Sequence, residues 1–121
     1  MFASLVWIAL ALAEAPSPEL QARLDAAEAA WARGDGAEAE RLLTAINDEA
    51  PAWDKPWRRR CGVVLDDGRS SDAVELCRKA LAIEASVENR TALALALVRD
   101  ATGLEDAGDA ALAEARALLD A

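Results

Sequence analysis

Four cations crowd into six residues of this chain: Lys55, Arg58, Arg59 and Arg60. Such a cluster can grip carboxylates through charge-assisted hydrogen bonds. It can equally pair with acids close by in sequence, such as Asp54 and Asp66, and stay a solvated face. Cys61 and Cys77 are the only cysteines. They can form a cross-link in an oxidising compartment or serve as two small apolar core residues. Histidine is absent, which removes the usual general base, proton shuttle and commonest metal ligand. No Gly-rich phosphate loop, serine elbow or paired-cysteine metal spacing occurs. Asp66-Asp67-Gly68 lacks the spaced oxygen ligands of a calcium loop and reads as a solvated turn. Ser70 and Ser71 have no base beside them and read, with Asp72, as helix caps. The carboxylates are scattered, and no pair is set in a shared apolar pocket as acid–base catalysis requires. The residues therefore point away from catalysis and imply no cofactor and no metal.

The elements that position these side chains read as helices. Alanine dominates, glycine and proline are few, and tyrosine is absent, so helix is favoured and sheet is poorly supported. Ser17-Pro18-Glu19 is a helix start, after which Leu20, Leu24, Ala27 and Trp31 share one stripe. Arg33-Gly34-Asp35-Gly36 turns the chain, and Ala39, Leu42, Leu43 and Ile46 form the next apolar face. Ala50-Pro51 closes that helix. A third opens near Asp54, with Trp57, Cys61, Val64 and Leu65 inward, and ends at Asp66-Asp67-Gly68. A fourth carries Ala73, Val74, Cys77, Leu81 and Ile83. Ser86 caps a fifth that runs to about Ala101, Thr102-Gly103 breaks it, and a sixth spans about Glu105 to Asp120. The net charge of −9 disfavours nucleic acid, which needs a cationic face, and anionic lipid surfaces alike.

The first fifteen residues differ. MFASLVWIALALA carries no charged side chain. It is too short to span a bilayer, which takes about 20 apolar residues, and suits a secretory apolar region. Ala11-Leu12-Ala13 and Ala13-Glu14-Ala15 have the small-x-small form that signal peptidases cut, although no Lys or Arg precedes the run. The expected division is a signal peptide over 1–15 and one helical domain over 16–121, destined for the periplasm or the medium. The alternatives are an uncleaved N-terminus that anchors the chain to the membrane and an apolar helix that packs on the domain.

Gly34, Ala39, Leu43, Ile46 and Pro51 recur as Gly68, Ala73, Cys77, Ala80 and Ala85, each 34 residues on. A fixed period of this length marks a repeat architecture. In these residues the chain resembles the tetratricopeptide repeat family, over about Ser17 to Asp120. Ala27 and Cys61 match the small residues of the first helix of each unit. Trp57 matches the helix-opening Trp, where the first unit has Arg23, and Pro51 the closing Pro, where the second has Ala85. Arg60 stands where an apolar residue is usual. A third unit, with Ala96, Gly108, Leu112 and Ala115, fits only after a one-residue slip at Gly103.

The resemblance implies an all-α fold of antiparallel helical hairpins stacked as a short solenoid of about three repeats, the third degenerate. It implies a concave groove lined by the first helix of each unit, with Lys55, Arg58 and Arg59 on or near the lining and Trp31 either in the groove or at a junction. A non-catalytic module that binds a peptide or protein segment follows, its partner an acidic segment or a free C-terminal carboxylate, with Leu65 a further apolar contact. A structural subunit of a cell-envelope complex is the alternative. It also implies that Cys61 and Cys77 lie on the two helices of one hairpin, level across Gly68, either bridged or as free thiols.

Overall fold

The computed structural model describes residues 16–102 and 108–121. Among them the chain is all-α: α1 (Pro18–Ala32), α2 (Gly36–Glu49), α3 (Asp54–Asp66), α4 (Ser70–Ile83), α5 (Val87–Ala101) and α6 (Gly108–Asp120), with no strand. The apolar leader, Gly103 and the start expected for the sixth helix at Glu105 lie outside the described residues. No described helix is long and apolar enough to cross a membrane.

Local chemistry sets most helix ends. The Ser17 and Ser86 hydroxyls accept from the backbone N–H groups of Leu20 and Asn89, both at 3.1 Å, which satisfies donors the helix leaves free. Gly34 and Gly68 adopt φ of 85° and 83°, a left-handed conformation that glycine enters without steric cost. Each closes its helix in the same way. Gly34 N–H donates to Trp31 O and Gly68 N–H to Leu65 O. One residue on, Asp35 N–H donates to Ala30 O and Arg69 N–H to Val64 O. This pair of bonds caps carbonyls that would otherwise be orphaned. One cap expectation is corrected. Ser70, Ser71 and Asp72 do not cap α4, whose N-cap is Arg69 and has no side-chain bond. The Ser70 and Ser71 hydroxyls instead donate to Asp100 Oδ1 at the end of α5, at 2.9 and 3.0 Å. The helix begins at Ser70 itself, one residue past the cap position, so neither hydroxyl is placed to cap it.

Each helix packs on its sequence neighbours, and α3 also touches α1 while α5 also touches α3. Among the described residues the backbones of α2 and α4, and of α4 and α6, do not approach closely, although side chains of α4 and α6 meet in the second core and in one ion pair. Neighbouring odd-numbered helices are therefore drawn closer, backbone to backbone, than even-numbered ones. Leu24, Ala27, Ala30, Ala39, Leu43 and Ile46 form one core with Val63 of α3. A second core joins Cys61, Val64, Leu65, Ala73, Val74 and Cys77 to Leu93, Ala94, Ala96, Leu97 and Ala115. Much of both cores is alanine, so helix backbones approach closely. Ile83, the last residue of α4, is 38% exposed. Arg78 of α4 holds Glu114 of α6 through two hydrogen bonds of 2.6 and 2.8 Å, and this guanidinium keeps the Glu114 carboxyl below the usual carboxylate range.

A disulfide joins Cys61 of α3 to Cys77 of α4, with Cα atoms 5.5 Å apart. That is inside the bridging limit of about 7 Å, and it requires α3 and α4 to run antiparallel about the Gly68 turn. Both residues are buried in the second core.

Ala39 and Ala73 are fully buried, at 0% exposure, where a larger side chain has no room. Ala39→Leu or Ala73→Leu should each lower unfolding free energy by about 1–3 kcal/mol through overpacking, as read by urea denaturation. Unchanged stability in both would contradict this packing.

Candidate functional site

Lys55, Arg59, Gly62 and Asp66 fall at helical spacing along one face of α3, since residues three and four apart are surface neighbours. Arg58 borders this stripe. α1 supplies one flank. Arg59 Nε donates to Glu28 Oε1 at 2.7 Å, and Trp31 Nε1 donates to Asp66 Oδ2 at 2.8 Å. The Trp31 ring lies directly on Gly62: a Cβ placed there would stand 2.6 Å from the ring atom Cη2. Glycine inside a helix costs roughly 1 kcal/mol relative to alanine, and here its bare Cα is what admits the ring. Beyond Trp31 a cleft of about 410 Å³ opens toward the two glycine turns, bounded by Ala37, Glu40, Val63, Asp67 and Arg69.

The other flank is Asn89 of α5, fully buried at 0% exposure. Its Oδ1 accepts from Arg58 Nη1 at 2.8 Å. Its Nδ2 donates to Asp54 Oδ2 at 2.8 Å and Glu84 O at 2.8 Å, with Ala80 O at 3.2 Å. Arg58 also stands 3.5 Å from Asp54. One carboxamide thus ties α3, the end of α4 and the start of α5 together. Its orientation is fixed, because the acceptor faces a guanidinium and the donors face three oxygens.

These contacts sort the residues read from sequence. Lys55, Arg58, Arg59 and Trp31 do come together on one face. Arg58 and Arg59 are held by partners of the chain itself; only the Arg58–Asp54 contact is of the local kind expected, while Asn89 and Glu28 lie about 30 residues away in sequence. Lys55 has no carboxylate within 4 Å among the described residues. Leu65, expected as a contact, is only 6% exposed and belongs to the second core, because its stripe turns toward α4 and α5. Arg60, out of place for the resembled pattern, reaches Asn47 Oδ1 at 3.3 Å. Arg60 Nε and Asn47 Nδ2 are left buried without a partner. Among the described residues no group of three His, Cys, Asp or Glu could hold a metal ion.

Sequence reading missed Glu28, Gly62, Asn89 and the part played by Asp54. Only Gly62 carried a local signal, as a glycine inside a helical pattern. The others act through partners about 30 residues away, which spacing alone does not reveal.

Asn89→Leu conserves volume but strands Asp54, Arg58 and two backbone carbonyls. Unfolding should be easier by about 1–3 kcal/mol, measured by urea denaturation. A change near zero would show that this carboxamide does not hold the three helices. No protein-family model matches the chain, and no curated protein matches it.

Proposed function

We propose that this chain is an exported, non-catalytic interaction module. In this reading its helix pairs form a short tetratricopeptide-like array that holds an acidic segment of a partner along the face of α1, α3 and α5. The observation that carries the reading is Lys55. It is half-buried and is a cation of the basic cluster with no carboxylate partner within 4 Å among the described residues. Arg58 and Arg59, bound to Asn89 and Glu28, frame that position. Arg90 supports it from α5, 35 residues on, where it bonds the Ala85 carbonyl and has no carboxylate within 4 Å among the described residues. The backbones of neighbouring odd-numbered helices approach more closely than those of even-numbered ones, which is the packing a concave face along them requires. The 34-residue recurrence of the glycine turn supports the repeat reading. The apolar leader supports export, to the periplasm or medium, and the Cys61–Cys77 bridge suits an oxidising compartment.

A structural subunit of an envelope complex is the second reading. It is favoured by the exposed apolar side chains of α5 and α6, such as Leu95 and Leu119, since large uncovered apolar surface marks assembly.

Binding of a synthetic Glu-rich peptide with a free C-terminus tests the first reading. Lys55→Glu should weaken it at least tenfold with the melting temperature unchanged, and binding should fall as salt rises. Equal affinity for the variant and the parent, or salt-independent binding, would reject the groove.

A further inference from the structure

Every large apolar side chain exposed among the described residues lies at one end of the chain: Ile83, Val87, Leu95, Val98, Leu112 and Leu119. From Pro16 to Ala82 there is none. Five of the six sit on α5 and α6 and share a direction that the contacts define. On α5, Asn89 faces α3 and α4 through its hydrogen bonds. At about 100° per residue, Val98 and Val87 lie roughly opposite Asn89 and Leu95 about 120° from it. On α6, Glu114 faces Arg78 of α4. Leu112 and Leu119 lie about 140–160° round the helix from Glu114 by the same geometry, while Ala115 between them is buried. Both helices therefore turn these side chains away from α3 and α4, beside their mutual seam.

The chain itself fixes what fits such a seam. α3 rests on both α1 and α2, and α5 rests on both α3 and α4. Each time an amphipathic helix is laid against a helix pair and contributes small and branched apolar residues. Val63 completes the first core in this way, and Leu93, Ala96 and Leu97 complete the second. Among the described residues nothing occupies the corresponding seam of α5 and α6. The charged side chains around it are the carboxylates of Glu88, Asp109 and Asp120 and one cation, Arg116, which stands beside Leu112 and Asp120; none has an ion-pair partner within 4 Å among the described residues, so acids outnumber the cation, and the chain as a whole carries −9. That charge opposes a second copy and favours a cationic occupant.

We propose that the α5/α6 seam is a docking site for a basic amphipathic helix of a partner polypeptide, seated as α5 is seated on α3 and α4. The site is separate from the Lys55 face and does not depend on it. Helix-in-groove recognition of this kind reads apolar anchors at helical spacing.

The probe is a synthetic sixteen-residue helix with Leu and Ala on one face and Lys on the other, titrated into the ¹⁵N-labelled chain. Backbone signals of Val87, Leu95, Val98, Leu112 and Leu119 should shift, and those of Lys55 and Arg59 should not. Leu95→Glu with Leu112→Glu, both at exposed positions, should weaken binding at least tenfold with an unchanged melting curve. The same helix with Glu for Lys should bind more weakly than the basic one. Absence of binding, shifts confined to the Lys55 face, or no preference for the basic helix would overturn the proposal. So would sedimentation showing a dimer that the same two substitutions dissolve, because the seam would then belong to a second copy.

Discussion

The joining of α5 to the central α3/α4 pair depends on one buried carboxamide. Asn89 has no exposure to solvent, so every polar atom it carries must find a protein partner or cost about 1–3 kcal/mol. It finds them on three elements at once: Asp54 and Arg58 on α3, the Ala80 and Glu84 carbonyls at the end of α4, and its own helix through Ser86. The approach of α5 to α3 and α4 is thereby specified by directional bonds. The surrounding alanines and leucines alone would allow α5 to slide. The same node bears on function. By engaging Arg58 it leaves Lys55 as a cation of the basic cluster without a carboxylate partner among the described residues.

The α3/α4 pair is the middle of the molecule in every sense. α3 touches α1, α2, α4 and α5. Cys61 and Cys77 tie it to α4 covalently, and Trp31 reaches across from α1 to lie on Gly62. The flanking pairs are held less completely. α1 and α2 close their own core with a single buried residue of α3, Val63. α6 is tied to α4 by the solvent-facing Arg78–Glu114 pair, an interaction of modest worth at a surface. An architecture of this kind has stability graded along the chain, as repeat proteins do when each unit contacts only its neighbours.

What the sequence disclosed and what it hid divide along physical lines. Gly34 and Gly68 were legible because a left-handed turn needs glycine and because they recur at one period. Ser17 and Ser86 were legible because a helix start asks for a hydroxyl at that place. The two cysteines were legible as a candidate bridge through their placement about Gly68. Asn89, the Trp31–Gly62 contact and the Ser70–Asp100 bond were not, since each joins residues brought together only by packing. Ser70 and Ser71 misled because a hydroxyl near a helix start resembles a cap, whereas the helix begins at Ser70 and the cap position falls to Arg69. Leu65 misled because its apolar character suits a core and a contact surface equally, and only the direction of its stripe decides. The departure at Arg60 was legible as an anomaly, and it coincides with the two buried atoms that lack partners.

The central claim is that the α3/α4 pair is the keystone and the flanking pairs depend on it. Native-state hydrogen exchange, resolved by residue on the oxidised chain, tests this most directly. The slowest amides should lie in α3 and α4, around Cys61, Val64 and Cys77. α5 should open with a higher free energy than α6, and α1 and α2 should open together without exposing the second core. Uniform protection across all six helices, or slower exchange in α1 or α6 than in α3, would contradict the account.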